Sequence, residues 1–309
     1  VSKGDDYFDT ASDYRTFSIT SLGIGESEEG YTILNDDASY SDVNNIHIEN
    51  LWMRSIRNGF GNIKFADDSG TGSWNRSMVA VGDYVYLSGR TANSSSATAY
   101  IDKYNGSTGE YLGRITLGAN ASVAFYPCNN IMKDSNGNVC ISNLIVFNQG
   151  PLVIHHVDLE TGEATQVASI KSTNVPDGRI DHASIIGDVT TGNFTVFGVA
   201  TNTAKVLRWK FANGSYTEAV ATISSFYPTS VKSFGLAPRV IPVSEDDIFI
   251  DCSNTGLTRY TFSTGVRSGS FIANTSVAPE NYANSGGTIF SLGNKKIVVY
   301  ANSDETATP

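Results

Sequence analysis

Apolar and polar residues alternate along this chain in a pattern that predicts β-hairpins. The alternation runs through 100–104, breaks in the polar segment 105–109 and resumes through 111–117, as expected for two strands joined by a tight turn. The pattern returns at 152–170, 205–223 and 259–272. The turn glycines of the four copies are Gly109, Gly162, Gly214 and Gly265, at intervals of 53, 52 and 51 residues. A hairpin that recurs at this interval indicates a repeat architecture.

Two further strands are predicted ahead of each hairpin. The first strands of the four units are 77–81, 129–133, 183–187 and 239–243. The second strands are 84–87, 139–141, 194–197 and 248–250. These second strands are almost continuously apolar, which is typical of a strand that is covered on both faces.

Units of four strands and about 50 residues predict an all-β fold, namely a β-propeller of four-stranded blades. Blades pack face to face around a central axis, and this packing covers the second strand of each blade on both sides. A flat solenoid of stacked coils is the alternative. It would need capping ends, and its coils are usually shorter, so we favour the propeller.

The number of blades depends on how the chain ends are used. A fifth unit begins with predicted strands at 285–292 and 296–300 but lacks two strands. The N-terminal part has two surplus strands, at 31–34 and 46–54. We therefore expect five blades, with the ring closed by the N-terminal strands. A sixth blade would require the strand-like segment 15–20 together with further C-terminal sequence.

The expected domain organisation is simple. Residues 1–30 are polar and acidic and predict an N-terminal extension, and 31–309 predict a single β-propeller domain. The chain begins with Val1 rather than Met and ends at Pro309. We expect it to be a processed or truncated piece of a longer precursor.

Charge excludes some classes of partner. The chain has 21 Lys and Arg against 31 Asp and Glu, a net charge of −10. This charge repels phosphate backbones and anionic lipid headgroups, so we predict neither nucleic-acid nor membrane-surface binding. No apolar run approaches the ~20 residues that a transmembrane helix needs, and no transmembrane segment is predicted.

The three cysteines cannot all pair with one another. Cys128 and Cys140 lie on neighbouring predicted strands joined by a turn at 134–138. A tight turn there places Cys140 opposite residue 132, which leaves Cys128 too far along the strand pair for a disulfide. Free, buried thiols are the prediction, and a disulfide is the alternative.

Candidate ligand-binding residues lie where the first strand of each unit begins. In a propeller, the connection into the innermost strand reaches the mouth of the central channel, so these polar residues should converge there. The candidates are Trp74, Arg76, Asn129, Arg179, Asp181, His182, Arg239, Glu280 and Asn284. Convergent polar groups in a concavity predict a ligand site. The alternative is that they satisfy one another around a water-filled pore.

Three short segments of the chain are Leu51-Trp52-Met53-Arg54-Ser55, Asn75-Arg76-Ser77-Met78 and Asn284-Ser285-Gly286-Gly287-Thr288. They resemble segments of an uncharacterised family of secreted β-propeller lipoproteins from gut Bacteroidales. The resemblance covers residues 45–300. It implies an extracytoplasmic, surface-associated bacterial propeller of unassigned activity, and it transfers no catalytic residue. The Thr-Gly turns are also similar to those of quinoprotein-like propellers, but the repeated tryptophan docking motif of those repeats is absent.

Two function hypotheses follow. The first is a non-catalytic module that binds a glycan, a peptide or a partner protein at the channel mouth. The second is a carbohydrate-active hydrolase or lyase with Asp181, Glu280 and His182 as acid and base. Glycosidases need two carboxyl groups about 5–10 Å apart, whereas Asp181 and Glu280 belong to non-adjacent units. We favour binding, and we predict no catalytic residue, no metal site and no cofactor.

Overall fold

The fold was analysed in a computed structural model. The model describes residues 51–52, 75–92, 94, 96–122, 124–146, 150–171, 179–216, 221–223, 233–235, 237–252, 257–270, 287–292 and 295–300. The predicted strands at 15–20 and 31–34, most of the strand at 46–54, the boundary at residue 30 and the closure of the ring by the N-terminal strands lie outside these residues.

Antiparallel strands account for nearly all regular structure in this part of the chain, and the predicted all-β class is confirmed. The first sheet contains β1 (Ser77–Val81), β2 (Tyr84–Arg90), β3 (Ala99–Asn105) and β4 (Tyr111–Thr116). The second contains β5 (Asn130–Lys133), β6 (Val139–Ser142), β8 (Leu152–Val157) and β9 (Ala164–Ile170). A short 3-10 turn, Ala119–Ser122, lies between them.

The later units follow the same order. The third sheet contains β11 (Ala183–Asp188), β12 (Asn193–Val199), β13 (Val206–Ala212), β14 (Ser215–Tyr216) and β15 (Ala221–Ile223), the last two both paired with β13. The fourth contains β16 (Arg239–Pro242), β17 (Asp247–Asp251), β18 (Thr258–Thr261) and β19 (Val266–Ser270). A hairpin of β20 (Gly287–Leu292) and β21 (Lys295–Tyr300) follows.

One two-stranded pairing was not predicted from the sequence. After β6 the chain forms β7 (Ile145–Val146), which pairs with β10 (Arg179–Ile180) just ahead of the third sheet. The side chain of Asn143 interrupts the strand, because it accepts a hydrogen bond from the Val153 amide and donates one to the Pro151 carbonyl. The pairing joins the second unit to the third.

Apolar side chains fill the spaces between successive sheets. Trp209 of β13 is completely buried, in a cluster that combines residues of the second and third sheets, including Ile154 and Phe194. A second cluster joins the first and second sheets, and a third joins the third and fourth. The second strands are therefore covered on both faces, as predicted; Phe194 to Val199 in β12 are all buried.

The first strands of the units surround a common cavity. We call β1, β5, β11, β16 and β20 the inner strands, because residues of all five line one cavity of about 430 Å³. Polar side chains on one inner strand donate hydrogen bonds to backbone carbonyls of the next inner strand. Ser77 donates to Ile131 at 3.2 Å, Asn130 to Ala183 at 2.7 Å and Ser184 to Val240 at 2.5 Å. These bonds satisfy edge groups that would otherwise lack partners.

The cysteine prediction is confirmed. Cys128, Cys140 and Cys252 are free and buried. Cys140 pairs in register with Met132, the position that the turn argument gave it. Burial raises the pKa of the Cys128 thiol to about 12, so this thiol stays protonated and unreactive at neutral pH.

The repeated turn glycines differ in how closely they are packed, and this difference can be tested. Both Gly162 (φ +77°) and Gly214 (φ +74°) have the left-handed backbone. A Cβ on Gly162 would lie 2.4 Å from the Thr116 carbonyl oxygen, whereas a Cβ on Gly214 would meet nothing within 4 Å. We expect Gly214→Ala to lower the free energy of unfolding by about 1 kcal/mol, the cost of the backbone conformation. Gly162→Ala should cost at least about 3 kcal/mol, because overpacking is added.

Urea denaturation of the two alanine variants measures the difference. Equal losses of stability in both variants would contradict the packing of the second hairpin turn against the end of β4.

Candidate functional site

The structure places six of the predicted site residues near the starts of the inner strands. They are Arg76, Asn129, Arg179, Asp181, His182 and Arg239. Trp74, Glu280 and Asn284 lie outside the described residues. The cavity mouth is defined here as the end of the cavity at which the inner strands begin.

Asn129 connects three sheets at this end. Its side-chain oxygen accepts a hydrogen bond from Arg90 Nη1 at 2.8 Å, and its side-chain nitrogen donates to the Asp181 carbonyl at 2.8 Å. Arg90 belongs to β2 of the first sheet, Asn129 immediately precedes β5, and Asp181 lies two residues before β11. Asn129 is 2% exposed, so this bridge is inside the protein.

Arg90 was missed by the sequence analysis. It ends β2, three residues beyond the apolar strand predicted at 84–87, and it is 0% exposed. Its guanidinium lies 5.2 Å from the centre of the Tyr126 ring. Burial and the nearby charge of Arg76 lower the pKa of Arg90 to about 10, so it remains a cation at neutral pH. A charged residue at the end of an apolar strand was the available signal.

Asp181 is held in place by its own neighbours. Its carboxylate accepts a hydrogen bond from Arg179 Nε at 2.8 Å and another from the Thr201 hydroxyl at 3.0 Å. The residue is 7% exposed, and its backbone carbonyl is bound by Asn129. The carboxylate is therefore a structural partner of Arg179 and Thr201.

His182 and Arg239 form the second polar contact. Arg239 Nη2 lies 3.1 Å from His182 Nδ1 and 3.4 Å from the Ser77 hydroxyl. A guanidinium can only donate, so Nδ1 of His182 accepts and the imidazole is neutral. Burial lowers the pKa of His182 well below its usual value, and the charges of Arg239, Arg76 and Arg179 lower it further. These electrostatic effects place all three arginines around the same imidazole.

Asp251 is a further buried group that the sequence analysis did not select. It pairs in register with Arg239 across β16 and β17, and it is 0% exposed. Neither carboxylate oxygen has a hydrogen-bond partner among the described residues. Burial raises the pKa of this carboxyl to about 7, although the charge of Arg239 opposes the shift.

The mouth is cationic although the whole chain is acidic. Arg239 lines the cavity, Arg76 and Arg179 act with it on the pKa of His182, and Arg90 lies near Arg76. The nearby carboxyls are those of Asp181 and Asp251, and burial raises the pKa of Asp251 to about 7. The net charge of the full chain is −10. Local positive charge in an acidic protein favours an anionic or hydrogen-bond-accepting ligand at this position.

The described part of the chain contains no group of three or more His, Cys, Asp or Glu side chains that could hold a metal ion. Within the same residues, no helix has the length and apolar character needed to cross a membrane.

Comparison with known proteins identifies a related fold but no family. No protein-family model matches the sequence, and no curated protein matches it. A solved structure of a DUF4623 family protein from Bacteroides eggerthii is similar, with a TM-score of 0.51 and 14% identity. The likeness covers 74% of this chain and 50% of that one, so the present chain spans about half the length of its structural neighbour.

The catalytic domain of a GH62 α-L-arabinofuranosidase from Coprinopsis cinerea is a more distant neighbour. Its TM-score is 0.45 at 12% identity, over 79% of this chain and 88% of that one. The propeller architecture, the blade number and the ring closure stay predictions. The comparisons therefore support a fold shared with a DUF4623 family protein from Bacteroides eggerthii.

Proposed function

We propose that this chain is a non-catalytic, extracytoplasmic binding propeller that recognises a glycan at the cavity mouth. In this proposal residues 31–309 form one domain of five blades, the N-terminal strands close the ring, and residues 1–30 are an extension. The location outside the cytoplasm rests on the resemblance to secreted Bacteroidales propellers.

One observation carries the proposal. Arg239, which lines the cavity, lies within hydrogen-bond distance of His182 and Ser77 from two other units. Arg239 and Ser77 are 162 residues apart in the chain. A concavity with apolar walls and a few convergent polar groups is the usual form of a small-ligand site.

The hydrogen bonds that the mouth residues already make favour binding over catalysis. Asp181 is bound by Arg179 and Thr201, so its carboxylate has a structural role. His182 is neutral and its Nδ1 accepts from Arg239. General acid–base catalysis works best with a group whose pKa lies near the working pH, and His182 lacks this property.

A second candidate function has one observation in its favour. The pKa of Asp251 is about 7, which is the value that suits the general acid of a glycoside hydrolase. The carboxyl is fully buried, which keeps it from substrate in this conformation. A carbohydrate-active hydrolase or lyase is therefore the alternative.

A paired assay separates the two functions. The intact chain is screened on a glycan array, and each hit is then incubated with the protein and analysed for shortened products. We expect saturable binding without turnover, and weaker binding by Arg76→Ala with the fold retained. Turnover that is lost in Asp181→Asn or Asp251→Asn while binding persists would establish the hydrolase or lyase instead.

A further inference from the structure

We infer that the ligand of the cavity mouth is a glycan that presents a carboxylate, such as a uronate, and that Arg239 binds this carboxylate. The inference rests on the proposed function, because it names the ligand class of the same site.

Arg239 differs from three other arginines, Arg114, Arg259 and Arg179, in the charge of its hydrogen-bond partners. Arg114 forms a two-point ion pair with Asp102, and Arg259 forms one with Asp247. Arg179 pairs with Asp181. Among the described residues the partners of Arg239 are instead a neutral imidazole and a hydroxyl. A partly buried guanidinium without a contacting anion carries a positive charge that no neighbour in contact neutralises.

The nearby carboxyl of Asp251 does not supply the missing anion. It lies directly across the strand pair from Arg239, yet neither of its oxygens has a hydrogen-bond partner among the described residues. The hydrogen-bond contacts of Arg239 are instead with His182 and Ser77, at the starts of two other units. Among the described residues no carboxylate is hydrogen-bonded to Arg239, and a ligand could supply one.

The geometry of the contact suits a carboxylate. Only Nη2 of Arg239 is bonded within the described residues, which leaves the N–H groups of Nε and Nη1. Nε–H and Nη1–H point to different sides of the guanidinium, so either one can donate a single charge-assisted hydrogen bond to a carboxylate. His182 cannot add a competing charge, because burial and three arginines keep its pKa well below neutrality.

The cavity next to Arg239 has room for a sugar ring. Its volume is about 430 Å³, and the apolar residues of its lining include Met78, Ile185, Val240 and Ile289. This size is within the range of small-molecule sites. An apolar wall beside a guanidinium fits the carbon face of a sugar that carries an acid group.

The test compares an acid with its neutral ester. Binding of trigalacturonate and of its fully methyl-esterified form is measured by isothermal titration calorimetry, with glucuronate and glucose titrated to 50 mM by NMR in parallel. We expect the wild type to prefer each acid by at least about tenfold. Arg239→Gln should abolish the preference. Arg259→Gln, the matched control on the same sheet with its guanidinium paired to Asp247, should retain it.

Each contrary outcome has a defined meaning. Equal binding of acid and ester by the wild type, no binding of any acid, or equally strong binding of inorganic phosphate would overturn the carboxylate inference. The proposed function would still stand if a neutral glycan bound in an Arg76-dependent manner. If an acidic peptide bound better than the uronates, Arg239 would still be the carboxylate-binding residue, but the ligand would not be a glycan.

Arg239→Lys, which keeps the charge, provides a folded variant if Arg239→Gln is unstable. It should keep a reduced preference for the acid.

Discussion

Asp251→Asn is expected to stabilise the protein by about 2 to 3 kcal/mol more at pH 8 than at pH 5. Asp251 is completely buried, and neither carboxylate oxygen has a hydrogen-bond partner among the described residues. Burial raises the pKa of the carboxyl from 3.8 to about 7. The amide of asparagine does not ionise, so it avoids the free-energy cost of a buried charge.

The sign of the effect follows from proton uptake. Between pH 4 and 7 the folded protein holds a proton on Asp251 that the unfolded chain has lost. The contribution of this carboxyl to stability is therefore greatest at low pH and declines as the pH rises through that interval. Above pH 7 the folded protein carries a buried charge, and this is the state that the asparagine removes.

Urea denaturation of wild type and Asp251→Asn at pH 5 and pH 8 measures this prediction. Asp247→Asn is the matched control on the same strand, since Asp247 is ion-paired with Arg259, and it should not stabilise at either pH. A stabilisation by Asp251→Asn that is the same at both pH values would contradict the raised pKa.

Asn129→Ala is expected to lower the free energy of unfolding by about 3 kcal/mol. The substitution removes the acceptor of buried Arg90 and the donor to the Asp181 carbonyl together. Desolvated charged groups that lose a partner are costly because water cannot replace it.

The control for this variant is Asn193→Ala, whose side chain bonds only within exposed turns. Thermal or urea unfolding should show a loss below about 1 kcal/mol for the control. A similar small loss in Asn129→Ala would mean that the bridge between the first, second and third sheets contributes little to stability.

The strand order could be predicted because it depends on local periodicity. Alternation at a period of two locates strands and turns, and the repeat interval aligns the units, so that β1 was predicted with its exact bounds. The pairing of Cys140 with Met132 followed from the length of one turn. The β7–β10 pairing could not be predicted, because strands of two residues are too short to show an alternating pattern.

Only the positions of the site residues along the repeat could be predicted from the sequence. The phase of the repeat placed His182 and Arg239 at the starts of inner strands. It could not show that Arg239 donates to His182 or that Asn129 accepts from Arg90, because such contacts depend on side-chain direction between sheets. Asp251 was missed because it directly follows the apolar run Ile248-Phe249-Ile250, where the predicted strand ended.

A crystal structure of the protein with a glycan from the array tests the central claim most directly. The account predicts that the ligand lies at the cavity mouth, in contact with Arg76, His182 and Arg239, with an acid group on Arg239. A ligand bound instead along the outer strands β4 or β19, with the mouth residues unchanged, would contradict it.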